Sequence, residues 1–377
     1  MARARTLGER VAAQRSGLDE KAFTDLILAE LRADGLISAV VPSTHGGHGM
    51  GLGDVARVTQ HIARVSGSAG LIYAMHMSQL LTLVRHGRDN PFFDDLLRRA
   101  ARDQILFASG TSEKGVGGDI LHSLCSIDDT PDGRLSVTKE IPNISYVDHA
   151  GVVLISCMRP GGKKATQVLV AAETAGIAFT PGRETGFIGM RGIQNRSYQL
   201  TARFEPAAIF AQPYPVIARE TMAPSIHIFW AALWSGIARH ALDVARTFVA
   251  KEMAEGEVAA VVRHDLTRLA DMHHAMNALI RDAIADEERR MSGEPAVGAT
   301  GLAPAARSNR LKVTCSRLVN EICQGALEVI GIRGYAVDGP YSLSEPLRDA
   351  LSGSLMVSNY RLSANNAKIE RFIEEEL

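Results

Sequence analysis

Gly110-Thr111-Ser112-Glu113-Lys114-Gly115-Val116-Gly117-Gly118-Asp119 opens the β-rich middle of a chain whose two flanks read as helix. Several glycines after a strand let backbone amides approach a ligand closely, which suits a planar or phosphate-bearing cofactor. Taken alone, a plain β-turn accounts for the stretch equally well.

Upstream, from about Lys21 to Arg102, Leu26, Ile27, Leu28, Leu31 and Leu36 recur at helical spacing, and Val58, Ile62, Val65 and the run from Leu71 to Leu83 continue it. The interruption at Pro42 to Gly51 is glycine-rich but has no preceding strand, so it reads as a tight turn between helices rather than a dinucleotide fingerprint. Downstream, Gly151 to Cys157, Thr166 to Ala171 and Ser197 to Phe204 are strand-like, punctuated by Asp132-Gly133 and Gly161-Gly162. After Pro213-Tyr214-Pro215 three long helical segments follow, about Pro224 to Met253, Val258 to Met291 and Ala305 to Ile330, with a small-residue linker before the third. Helix, sheet, helix in segregated blocks predicts an α+β protein of three regions: 1–104 helical, 105–215 β, 216–377 helical.

Composition narrows the function. The 377 residues are 46% hydrophobic and 22% charged with a formal net charge of −1, which suits a folded protein and no broad nucleic-acid surface. Cys125, Cys157, Cys315 and Cys323 form no C-x-x-C pair and read as small buried hydrophobes. No apolar run approaches the roughly 20 residues a membrane span needs. The basic start lacks an apolar signal core, so a cytoplasmic location is the default expectation.

In series the motifs become specific. The chain resembles the acyl-CoA dehydrogenase superfamily over nearly its whole length. Pro42 to Gly51 is similar to that family's proline, aromatic, Gly-Gly-x-Gly turn, with His45 in the aromatic place. Ser112 to Asp119 is similar to its flavin loop and keeps Glu113, Gly115, Gly117 and Asp119. Gly189-Met190-Arg191-Gly192 resembles its Gly-Met-Arg motif, and Arg348-Asp349 its Arg-Asp near the end. The resemblance implies an N-terminal helical domain, a central β-barrel-like domain and a C-terminal four-helix bundle, assembled as a homotetramer or homodimer. It implies a flavin between the β domain and the bundle, with Ser112, Gly117, Gly118, Ile141, Pro142, Asn143, Glu328 and Gly331 at the matching cofactor positions. The flavin expected is FAD, or FMN or reduced flavin supplied by a reductase.

Four places along the chain depart from the family pattern. Counted without gaps from Arg348-Asp349, the family's catalytic glutamate falls at Val357, beside Ser358; valine cannot take a proton. A subset of the family carries its base on the first bundle helix, where this chain has His227, which reads either as that base or as a buried polar residue beside Phe229 and Trp230. Pro142 stands in the strand that covers the flavin ring and offers neither N–H nor hydroxyl. Glu328 and Ile332 replace a glutamine and a glycine near the pyrophosphate, and Arg246-Thr247-Phe248-Val249 is a reduced form of a segment that reaches a neighbour's flavin. Among the remaining polar residues, Glu345 reads as solvated, Arg348-Asp349 as a structural pair, Asp286 to Arg290 as a solvated helix end, and His76 and His86 as packed or capping. His264, His273 and His274 read as no metal site.

Three functions compete. One is an oxidoreductase acting on an acyl-CoA or acyl-carrier-protein thioester, passing electrons to an electron-transfer flavoprotein or oxygen. A second is a flavin monooxygenase fed by a flavin reductase, which needs no α-proton base. The third is a flavin-free scaffold, since fold alone does not guarantee activity.

Overall fold

The computed structural model describes residues 2–117, 121–159, 166–254, 256, 260–294 and 303–370. Gly118, Asp119, the Gly161-Gly162 turn and most of the linker before the third long helix lie outside the described residues. The N-terminal region is five helices: α1 (Ala2–Ala12), α2 (Glu20–Ala33), α3 (Leu52–Ala63), α4 (Gly67–His86) and α5 (Pro91–Asp103). Their starts follow capping chemistry. Asp19 accepts from the Ala22 N–H at 2.7 Å, Ser66 from Ala69 at 3.2 Å, and Asn90 from Phe92 at 3.0 Å ahead of Pro91. Helix α4 is apolar nearly all round because it runs through the core, packed on α3, on strand β1 (Leu106–Gly110) and on the first long helix of the C-terminal region. His76 on α4 is buried and joins the Ile37 carbonyl at 2.7 Å to the Phe107 N–H at 2.9 Å, the packed role its apolar helix suggests.

The middle region adds β2 (Ile127–Asp129), β3 (Leu135–Ser145), β4 (Ala150–Arg159), β5 (Thr166–Glu173), β6 (Ile177–Glu184) and β7 (Asn195–Phe204). They form two open sheets, β1-β4-β5 and β2-β3-β7-β6, so "barrel-like" holds only loosely. Three-residue β2 is too short to extend a ladder across to the other sheet; beside it, among the described residues, the isolated pairing of Ser126 with Met158 crosses. Buried residues alternate along β3 and run nearly unbroken along β4 and β5, which are covered on both faces.

The C-terminal region begins with short α6 (Tyr214–Ile217), a π-helical turn (Ala218–Met222) and then α7 (Ala223–Ala254). Helices α8 (Ala260–Met291) and α9 (Ala303–Ile330) complete three long rods, as their periodicity predicts. Short α10 (Ile332–Tyr335), α11 (Ser344–Leu351) and α12 (Asn359–Ile369) follow, with α11 and α12 against α9 as the fourth side of the bundle. No helix among the described residues is long and apolar enough to cross a membrane.

One junction ties all three regions together. The Asp349 carboxylate on α11 accepts the Met190 N–H at 2.6 Å, and the Gly192 N–H reaches the Ser68 hydroxyl on α4 at 3.1 Å. Gly189 is packed on the Arg348 carbonyl and Gly67 on the Asp349 carboxylate, so closely that a Cβ at either would collide. Two sequence expectations are corrected here. Arg348 does not pair with Asp349; it reaches Glu20 on α2 at 2.7 Å, because Asp349 is turned into the junction. Glu345 is not solvated but paired with Arg15 of the N-terminal region, with burial raising its carboxyl above the usual range. A third correction concerns Asp286 to Arg290. Glu287 is buried, bound by Arg290 at 2.7 Å and 4.0 Å from Arg85 on α4, while Arg290 also donates to the Glu220 carbonyl of the π-helical turn.

Candidate active site

The glycine loop folds back on the end of β3. Gly115 and Gly117 have φ of 95° and 60°, a region open to glycine and costly for other residues. Ser112 donates its hydroxyl to the Asn143 carbonyl at 3.2 Å, and the Lys114 N–H reaches the Glu140 carbonyl at 3.0 Å. Here β3 is bulged, its register with β7 breaking between Ile141 and Ile144. A bulge leaves a residue outside the ladder, and this is how Pro142 is accommodated within an interior strand. Ser112, Pro142 and Asn143 are thus brought together, with Pro142 and Asn143 exposed; Ile141 turns into the core.

Beneath the loop sits a cluster with no local sequence signature. The buried Glu113 carboxylate accepts from the Leu124 and Cys125 N–H groups at 3.0 and 2.9 Å and from the Ser123 hydroxyl at 2.6 Å. Lys139 lies 3.6 Å from it, fully buried, donating to the Ser156 carbonyl at 2.7 Å and hydroxyl at 3.1 Å, and burial lowers its pKa. The glutamate of the loop is therefore an anchor holding Ser123 to Cys125 under the loop. Lys139 had one available signal: it falls in phase with the inward residues Leu135, Val137 and Ile141 of β3.

The segment facing the loop is the stretch between α11 and α12. Its far end is tied to the loop itself, since the Arg361 guanidinium donates to the Gly117 carbonyl. Along its length it is held by buried Lys312 on α9, whose ammonium donates to the carbonyls of Gly353 and Val357 at 2.9 and 3.0 Å and to Asn359 Oδ1 at 2.8 Å. Burial brings the Lys312 pKa down to about 8. Val357 sits at φ 46° with its side chain 43% exposed, and Ser358 is exposed beside it. Neither Lys312 nor Lys139 was singled out by sequence reasoning.

His227 lies inside the bundle, 4% exposed, its Nδ1 2.9 Å from the Ser308 hydroxyl and its ring 6.1 Å from that of Trp230. Burial, with nearby Lys312 adding to it, pushes its pKa down to about 4, so the ring is neutral. Glu328 and Gly331 are at the other end of α9, where Glu328 is exposed and Gly331 has φ 71°. Sixteen residues at 1.5 Å per residue put Glu328 about 24 Å along the axis from Lys312, so one chain does not gather these two with the glycine loop. Phe248 packs edge-on to Tyr341 with ring centres 5.3 Å apart, and the Arg333 guanidinium lies 5.6 Å over it, fixing the turn after α9 to the end of α7. Among the described residues no group of three or more His, Cys, Asp or Glu is arranged to hold a metal.

A helical N-terminal region, a middle of paired open sheets and a C-terminal helical bundle, in that order, are the acyl-CoA dehydrogenase fold. Within it the assignment is direct. The acyl-CoA dehydrogenase N-terminal domain matches residues 2–90 and the acyl-CoA dehydrogenase C-terminal domain residues 226–356, together more than half of the chain, which belongs to the acyl-CoA dehydrogenase family. Cyclohex-1-ene-1-carbonyl-CoA dehydrogenase of Geobacter metallireducens is 26% identical over 267 residues, 69% of this chain and 70% of that protein. Dibenzothiophene monooxygenase of Rhodococcus qingshengii is 22% identical over 336 residues, 81% of this chain and 77% of that protein. Two solved structures share the fold: FMN-bound TdsC from Paenibacillus sp. A11-2 (TM-score 0.80, 18% identity, covering 99% of this chain and 98% of that one) and butyryl-CoA dehydrogenase from Megasphaera elsdenii (0.79, 16%, 97% and 96%).

Proposed function

We propose that this chain is a flavin-dependent oxidoreductase that works without a proton-abstracting carboxylate, as a monooxygenase supplied with reduced flavin by a reductase. The observation that carries the proposal is Val357. Dehydrogenation of an acyl thioester needs a group that removes the α-proton, and general-base work of this kind is worth typically about 10²–10⁴-fold. Valine has no such group, and its neighbours are committed elsewhere. Asp349 is spent on Met190, Glu345 on Arg15, and the Lys312 ammonium on three oxygens. The neutral, buried ring of His227 is bound to Ser308, which favours its structural reading.

The residues at the glycine loop fit a flavin in part. Ser112, the open backbone at Gly117 and the exposed face of Pro142 and Asn143 would lie against it, whereas Pro142 has no N–H or hydroxyl for the ring edge. A bound flavin, FAD or FMN, would supply the redox chemistry. The chain would contribute position and an apolar wall from the exposed side chains of Leu355 and Val357. The remoteness of Glu328 and Gly331 favours a homodimer or homotetramer in which a second copy completes the cofactor's surroundings.

The second reading, an acyl-thioester oxidoreductase with electrons leaving through an electron-transfer flavoprotein, is favoured by relatives named for CoA thioesters. A turnover assay separates the two. The purified protein is given enzymatically reduced FMN or FAD, oxygen and a panel of small heteroaromatic and sulfur compounds, and products are read by mass. Gain of one oxygen atom in a product supports the proposal. No oxygenated product from any compound in a preparation that binds flavin counts against it, and a preparation that binds no flavin supports the scaffold reading.

A further inference from the structure

Lys312 is an unusual residue to find in the bundle core. Lysine is almost never fully buried unless paired with a carboxylate, yet this ammonium has no carboxylate partner shown among the described residues, and burial alone shifts its pKa. Its three donors all go to one short segment, Gly353 to Asn359, and the ring of Trp234 lies 5.7 Å away on its remaining side. Asn359 is held in turn by Ser316, its amide donating to that hydroxyl at 2.9 Å. Drawing the carbonyls of Gly353 and Val357 inward leaves the side chains of Leu355 and Val357 facing out. The first turn of α12 carries Arg361 to the Gly117 carbonyl, so the segment is held to α9 along its length and the helix that follows it meets the glycine loop.

We infer that Lys312 is the positioning residue of the candidate active site: a buried ammonium that sets the shape of Gly353 to Asn359, and thereby selects Val357 as the side chain presented toward the flavin loop. The inference rests on the flavin-site reading above. It explains why a β-branched residue is tolerated in the left-handed region at this place. The backbone there follows the cation rather than the preference of valine.

The test is hydrogen exchange combined with flavin titration on Lys312→Met and Asn359→Ala, with wild type in parallel. Exchange across 352–362 is expected to quicken by about tenfold or more in Lys312→Met, while the central amides of α7 and α8 keep their protection. Flavin affinity is expected to fall by a similar factor beyond any loss of folded protein. Asn359→Ala keeps the ammonium and removes one acceptor, and is expected to show a smaller change in the same segment; it carries the test where Lys312→Met does not accumulate folded. Faster exchange spread evenly over α7, α8 and α9, or an unchanged 352–362 segment in Asn359→Ala, would overturn the inference. If the segment responds locally but wild type binds no flavin, the flavin reading fails while the positioning role of Lys312 in shaping the segment stands.

Discussion

Val357 is held at φ 46°, where an L-residue is disfavoured by roughly 1–2 kcal/mol and a β-branched one is a clear outlier. Val357→Gly removes that strain, loses little buried area, and adds some unfolded-chain entropy. A net stabilisation of about 1 kcal/mol is expected in urea unfolding. Asp349 makes a second residue-scale prediction. Its carboxyl is pushed up to about 7, chiefly by burial, with the Met190 N–H working the other way. The folded state therefore holds a proton that the unfolded state, with an ordinary aspartate carboxyl at 3.8, releases earlier. Asp349 costs nothing below about pH 4, and its penalty grows as pH rises toward 7, on the order of 4 kcal/mol at the plateau. Asp349→Asn keeps an acceptor for Met190 and is expected to flatten the fall of stability between pH 4 and 7 measured by denaturant titration; an unchanged slope would show that other groups produce it.

At the scale of elements, the junction of Gly67, Gly189 and Asp349 fixes where α11 ends and the Val357 segment begins. Gly189→Ala drives a methyl into the Arg348 carbonyl, and an overpacked contact of this kind costs about 1–3 kcal/mol. Thermal unfolding is expected to drop accordingly. Flavin affinity is expected to fall with it, because α11 carries the segment. Much of this level was legible in the sequence. The rods ending near Met253, Met291 and Ile330 announce themselves by period, and α4 by its length of apolar residues. Pro142 in a strand pointed to something irregular, and the register break supplies it. The partners of Asp349, Glu345 and Lys312 were not legible, because each meets a group brought near only by the tertiary fold. A charged residue at such a place looks, along the chain, like a solvated one.

For the whole molecule, the family and the three-part architecture could be read from motifs in series, whereas the site is distributed in a way no motif records. The glycine loop, the clamped segment and Lys312 share one end of the bundle, and Glu328 and Gly331 lie far along α9. The proposed homodimer or homotetramer would bring a second copy to the open side, and light scattering is then expected to give a mass of at least twice 40.6 kDa. The central claim is the absence of a carboxylate base at the position of Val357. It is tested most directly by mixing flavin-loaded protein with acyl-CoA thioesters of several chain lengths in the absence of oxygen and following the flavin's visible absorbance. The oxidised spectrum is expected to persist with every thioester; rapid bleaching by any of them would contradict the proposed function and place this chain among the dehydrogenases.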